Sequence, residues 1–271
     1  MKLLKLFKPV IGMIHVRALP GTPAYGGSVA EIIDHAVAEA RMYREAGIDA
    51  LALENMHDVP YLKRTVGPEI SSLMAVVGAA VKAEAGLPCG LQILAGANKA
   101  ALGAALAGGL DFIRAEGYVF GHLGDEGLFD SDAGELLRYR RQIGADHIQI
   151  FTDVKKKHSA HALTADVDLS ETAKAAEYFR SDGIIITGGS TGYPADLTAL
   201  HALQGEVNIP LLVGSGMTAD NVMEYLPLAD GFIVGSWFKQ GGHWASPLDA
   251  ERIQTFMDRV QRWRATADIS P

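Results

Sequence analysis

Short apolar runs rich in β-branched residues alternate with longer stretches whose apolar positions recur at helical spacing, along the whole chain. The runs predict strands over 10–15, 49–54, 89–94, 111–116, 147–153, 183–187, 211–213 and 231–234. The stretches between and after them predict helices over 29–46, 69–85, 99–107, 134–143, 170–180, 196–203, 219–225 and 248–263. In the first of these, Ile32, Ala36, Val37, Ala40 and Tyr43 fall on one face. Gly47, Gly86, Gly108 and Gly144 stop helices just before the next strand, as short αβ loops require. Strict alternation without an interior linker implies an α/β protein, a closed parallel (β/α)8 barrel spanning residues 1–271 as a single domain.

In such a barrel, chemistry collects where strands run into their following loops. The loops over 16–28, 55–68, 117–133 and 154–169 are long enough to cover the mouth. Side chains alternate along a strand, so each run divides into a helix-facing and an axis-facing set. In the fifth run Gln149, Phe151, Asp153 and Lys155 are expected to face inward. Phe112, Arg114 and Glu116 do so in the fourth, Gly90, Gln92 and Leu94 in the third, and Ile11, Met13 and His15 in the first. One of Glu54 and Asn55 must also face in, and periodicity does not say which.

Charges at such positions are expensive unless paired, so a structural ion-pair network is one account of them. The other is a reaction chamber. There Lys155, beside Asp153, serves in proton transfer or as an amine nucleophile, and Glu116 or Glu54 acts as base. Asp153, Lys155, Glu116, Glu54 and His15 form the candidate catalytic set. Asn55, Gln92, Arg114, Lys157 and His158 are the candidate ligand contacts. His15 and His158 fit a site or an ordinary core or surface position equally well.

The last two strands each end in a glycine-serine turn. Gly214, Ser215 and Gly216 offer unobstructed backbone N–H groups, a helix opening at Thr218 would add the positive end of its dipole, and Gly235 and Ser236 would face the same point. This predicts an anion site of phosphate size. Trp237 and Phe238, next to the second turn, either line the pocket or pack the last helix.

Composition narrows the partners. With 48% hydrophobic residues there is ample core, while a formal net charge of -8 lacks the footprint of wholesale nucleic-acid or anionic-membrane binding. No run approaches the length of a membrane span. The single cysteine, Cys89, sits in an apolar run and reads as an inert core thiol in a reducing compartment. A cytoplasmic location and a homo-oligomer are expected.

Three motif readings compete. Gly214 to Ala219 spells G-x-G-x-x-A, but no ribose-binding acid ends the following strand, where a dinucleotide unit needs one. Gly188 to Gly192 spells G-x-S-x-G, yet Gly192, Tyr193 and Pro194 continue a loop where a nucleophile elbow needs a helix. A triad of Ser190, Asp230 and His243 has no other support, and Thr187, Gly188 and Gly189 are instead expected to open a third glycine-rich ligand loop. His15, Glu54, Asp153 and His158 are metal-ligand types, but H-E-x-x-H and C-x-x-C are absent. No cofactor is expected, and a divalent metal is the minority reading.

Several long stretches, among them GMIHVRALPGTP, LENMHDVP, DFIRAEGYVF, FTDVKKKHSAHA, IITGGSTGYP and LLVGSGMTADN, resemble the BtpA/SgcQ family in order and over nearly the entire chain. The resemblance implies a barrel of the ribulose-phosphate-binding type and a phosphorylated ligand. Many members carry a D-V-H-V-K-H type segment after the fifth strand. Here Asp153, Lys157 and His158 carry over, but Lys155 replaces a histidine, which places the chain with the KKKHSAH branch and weighs further against a metal. The expectation is an enzyme acting on a small phosphorylated sugar or related metabolite, an isomerase, epimerase or aldolase/lyase. The alternative, implied by one family name, is a non-catalytic assembly or stability factor for a membrane complex such as photosystem I.

Overall fold

The computed structural model describes residues 2–267. Eight parallel strands close into a barrel: β1 (Val10–His15), β2 (Ala50–Glu54), β3 (Cys89–Gln92), β4 (Phe112–Ala115), β5 (Gln149–Asp153), β6 (Gly183–Ile186), β7 (Leu211–Val213) and β8 (Gly231–Val234). Each neighbours its successor, and β8 pairs with β1. The helices that follow are α1 (Val29–Glu45), α2 (Pro68–Ala85), α3 (Asn98–Ala107), α4 (Ala133–Gln142), α5 (Leu169–Tyr178), α6 (Leu197–Leu203), α7 (Val222–Tyr225) and α8 (Ala250–Ala267). This is the (β/α)8 architecture expected from the alternation.

The alternation also sorts the core. Ile11, Met13, Ala50, Ala52, Phe112, Phe151, Ile185, Leu212 and Ile233 form the cluster inside the barrel, and the larger outer cluster lies between strands and helices. Gly90 is required there: a Cβ on it would lie 2.3 Å from the Phe112 ring. Cys89 is buried and its thiol is pushed up to about 12 by burial, in keeping with an inert core position.

The two ends of the barrel differ in chemistry. At the bottom, Asp49, Asp111, Asp182 and Asp230 stand just before the even-numbered strands. Each accepts an N–H from the start of the preceding odd-numbered one: Val10, Cys89, Ile150 and Leu211. Arg264, Lys82 and Arg140 pair with the first three of these carboxylates. Strand ends that would otherwise leave N–H groups unpaired are thus closed by one repeated device, which marks the bottom as structural.

At the top, the long β4–α4 and β5–α5 loops do more than cover. A hairpin of His122–Gly124 and Gly127–Phe129 adds Ser159–Ala160 as a third antiparallel strand, making a small sheet beside the mouth.

One expected element is shorter than its pattern. α7 covers only Val222–Tyr225, so no helix opens at Thr218. Its N–H is taken by Asn221 Oδ1 at 2.8 Å, while Asn221 Nδ2 donates to the Gly216 carbonyl. The loop after β7 is therefore held by an asparagine side chain, and the expected dipole contribution is lost.

Candidate functional site

A cavity of about 480 Å³ opens at the C-terminal ends of the strands. Its charged floor comes from β2, β4 and β5. Glu54, which closes β2, faces the cavity. Asn55 does not: its amide donates to Asp58 and accepts from the Leu94 N–H, so this candidate ligand contact is a loop strut. Beside Glu54 in register stands Gln92, whose Oε1 is buried without a partner among the described residues.

Arg114 and Asp153 form a buried bidentate pair, with Nε to Oδ2 and Nη2 to Oδ1 both 2.8 Å. Glu116 Oε1 meets Lys156 Nζ at 3.2 Å, and its Oε2 is buried without a partner among the described residues. Glu54 carboxylate and Lys157 Nζ have no hydrogen-bond partner among the described residues, although both line the cavity. Burial raises the Glu54 carboxyl above its ordinary range, against the opposing pull of Arg114 and Lys157. Burial likewise lowers the Lys157 ammonium, with Arg114 adding to it and Glu54 opposing. An acid and a base thus shift toward each other's range in one chamber.

Lys155 is not in that chamber. Its backbone adopts φ 46°, and its Nζ donates to the carbonyl and hydroxyl of Thr164 at 2.8 and 3.1 Å. The strand ends at Asp153, so side-chain alternation no longer governs two residues on, and the left-handed turn delivers Lys156 and Lys157 to the cavity instead.

His15 lines the cavity beside Glu54, its register partner on the neighbouring strand. Burial, assisted by Lys239, pushes its imidazole down to about 3, so it is neutral. Its Nδ1 lies 2.9 Å from the Trp244 carbonyl and can only donate there, which leaves Nε2 as an acceptor near Gly235. His158 is exposed at the rim, with Nε2 2.9 Å from Thr191 Oγ1.

The glycine-serine turns line the cavity. The N–H groups of Ser215, Gly216, Gly235 and Ser236 have no acceptor among the described residues, whereas that of Gly214 is bonded to Ile186. Gly216 takes φ 68°, and a Cβ on it would lie 2.1 Å from Pro194 N. Thr187, Gly188 and Gly189 do not line the cavity. Thr187 Oγ1 accepts the Lys157 N–H, and the Gly188 N–H donates to Ser215 Oγ, so this third loop braces the other two. Thr191 and Gly192, further along it, reach the cavity in their place.

Trp237 does both things open to it: it lines the cavity, and the Arg252 guanidinium packs on its ring at 3.8 Å. Its Nε1 is buried without an acceptor among the described residues. Phe238 belongs to the core. Lys156, Tyr61 and Trp244 also line the cavity and lie in loops where periodicity is silent. No three His, Cys, Asp or Glu side chains among the described residues converge closely enough to hold a metal ion, so His15, Glu54, Asp153 and His158 do not form a ligand set.

A closed parallel barrel with ionisable strand ends lining a cavity at the C-terminal ends of its strands is a TIM barrel. Residues 6–262 match the BtpA family, and the chain belongs to it. It is 48% identical over 265 residues to an uncharacterised mitochondrial protein of Caenorhabditis elegans, covering 96% of this chain and 95% of that protein. It is 32% identical over 253 residues to the photosystem I biogenesis protein BtpA of Synechocystis, covering 93% and 88%. Among solved structures, orotidine 5'-monophosphate decarboxylase from Methanocaldococcus jannaschii superposes with a TM-score of 0.60 at 11% identity, covering 93% of this chain and 98% of that one. No helix among the described residues is long and apolar enough to cross a membrane.

Proposed function

We propose that this barrel is an enzyme that holds a small phosphorylated metabolite across its mouth and moves a proton next to a carbonyl, as an isomerase, epimerase or aldolase/lyase does. The observation that carries this reading is the pair of unpartnered ionisable groups, Glu54 and Lys157, in one cavity with opposite pKa shifts. Structural ion pairs satisfy each other, as Arg114 and Asp153 do. Ionisable groups that face a cavity with no protein partner among the described residues are available to a ligand.

The phosphate sits on the N–H groups of Ser215, Gly216, Gly235 and Ser236. Anchoring there presents the carbonyl carbon to the opposite wall and supplies orientation that a free substrate lacks. Glu54, its basicity raised by burial, takes the proton from the adjacent carbon. Lys157 stabilises the oxygen that gains charge or, as the neutral amine, condenses with the carbonyl to an imine with release of water. Arg114 Nη1 is free of Asp153 and remains available to the ligand.

Thermal-shift screening of phosphorylated sugars and related metabolites tests the reading, because a ligand of the native state raises its melting temperature. At least one compound should raise it in the wild type and raise it less in Gly235→Ala, where a Cβ would come 3.2 Å from His15 Nε2. A panel in which no phosphorylated compound shifts the protein overturns it.

A further inference from the structure

The cavity is more apolar than a sugar phosphate needs. Sugars are recognised by hydrogen bonds along their whole length, yet the lining of this cavity includes Met56, Tyr61 and Leu94, which pack together, and Trp244. The Tyr61 hydroxyl donates to the Met56 carbonyl at 2.8 Å, so its proton is already committed within the protein. His57 meets Trp244, with ring centroids 4.9 Å apart. At about 480 Å³ the cavity falls in the roughly 300–1,000 Å³ range of sites that enclose drug-sized ligands, more than a triose or pentose phosphate fills.

Trp244 is held in place and is not a loose loop tip. The loop that carries it is closed at its base by the antiparallel bridge of Lys239 and Leu248 and by the Gln240 N–H on the Pro247 carbonyl. Below that bridge, Lys239 makes a buried ion pair with Glu39 of α1. At the tip, the Trp244 carbonyl accepts from His15, and the His15 ring meets the indole edge at 6.1 Å. Several contacts, one of them a buried charge pair, hold an aromatic ring half exposed on a cavity wall. Such an arrangement serves stacking.

We infer that the substrate is a phosphate ester carrying a flat, ring-shaped group, joined to the phosphate by a short polar spacer. This rests on the phosphate reading above and narrows it. His15 lies between the two anchors, beside Gly235 on one side and Trp244 on the other, so the spacer passes over a neutral imidazole whose free Nε2 accepts a hydrogen bond from it. A ribosyl or short polyhydroxylated chain has the hydroxyls to supply that bond.

The test compares adenosine 5'-monophosphate, ribose 5-phosphate and adenosine for binding to the wild type, Trp244→Leu and Trp244→Phe, by calorimetry and by tryptophan fluorescence. Adenosine 5'-monophosphate should bind roughly tenfold or more tightly than ribose 5-phosphate, the value of one stacked ring. It should quench the fluorescence. Trp244→Leu should remove that advantage and the quenching while leaving ribose 5-phosphate affinity unchanged, and Trp244→Phe should keep most of the advantage. Equal affinity for the two phosphates, or equal weakening of both by Trp244→Leu, overturns the ring and leaves the phosphate reading standing. Adenosine bound through Trp244 with no gain from its phosphate supports the ring and overturns the phosphate reading. No binding by any of the three overturns the ring-bearing substrate, and the wider phosphate panel then decides the other reading separately. Unchanged melting temperatures of both variants confirm that each outcome is read on folded protein.

Discussion

Arg114 and Asp153 are joined through two parallel bonds of 2.8 Å at adjacent strand ends in the floor of the cavity. Their side chains are 8% and 1% exposed, so neither charge has water to fall back on. Breaking such a pair by removing one partner typically costs about 3–5 kcal/mol, because the other is left buried and uncompensated. Asp153→Ala should therefore lower the melting temperature by roughly 6–15 °C. Arg114→Met/Asp153→Leu should restore much of the loss. Calorimetric unfolding of the single and double variants checks this. An Asp153→Ala protein as stable as the wild type would show that the pair is not a structural unit, and Asp153 would return to the catalytic candidates.

Lys157 and Lys155 are two residues apart and should differ sharply in reactivity. Lys157 has its ammonium lowered by burial, while Lys155 is tied to Thr164. Competitive labelling with an acylating reagent, read by mass spectrometry across pH 6–10, should show the Lys157 amine reacting at lower pH than exposed lysines. Reduction with borohydride in the presence of a bound carbonyl ligand should trap Lys157 and leave Lys155 untouched. Labelling of Lys155 ahead of Lys157 would sink the assignment.

That contrast shows where sequence reading stops. Strand and helix positions were legible because a barrel strand needs an apolar run and its helix needs an apolar stripe, and both leave a period in the chain. Facing was legible within strands, as Gly90, Phe112 and Phe151 show. It was not legible past a strand end: Lys155 was expected inside because alternation was carried two residues beyond Asp153, where a positive φ intervenes. Glu54 and Asn55 could not be separated, since both are polar and only the Asp58 and Leu94 partners reveal Asn55 as a strut. Trp244 lies in a loop positioned by residues such as Glu39, 200 positions from its partner Lys239, and no local pattern carries that information.

Glu54 sets stability against function. Its folded pKa is raised, so the native state prefers the neutral carboxyl. The contribution is present below the unfolded carboxylate range and is lost as pH rises through the folded value. At neutral pH the wild type therefore bears the cost of that raised pKa, which a glutamine avoids. Glu54→Gln should melt higher than the wild type at pH 7, with the gain shrinking toward pH 4, and should lose activity on whatever substrate is found. Parallel melting curves from pH 4 to 8 decide it. A Glu54→Gln protein less stable than the wild type at pH 7 would mean that attraction from Arg114 and Lys157 outweighs burial.

His15 has the opposite linkage. Its folded value of about 3 lies below the usual 6.5, because burial first and Lys239 second oppose the imidazolium. The unfolded chain binds a proton in the interval where the native state does not, so the contribution to stability is complete above pH 6.5 and falls as pH drops from there toward 3. Protonation would also place a second donor on Nε2, removing the acceptor that faces Gly235. His15→Gln keeps an amide donor for the Trp244 carbonyl and carries no titratable group. Its melting temperature should fall less steeply than that of the wild type between pH 7 and 5. If ligand binding uses the neutral imidazole as an acceptor, affinity should stay flat down to the acid limit of the fold and should not fall near pH 6.5. Titration of His15 by NMR at an ordinary histidine value would contradict both expectations, since it would mean that the ring is solvated and free of the Trp244 contact.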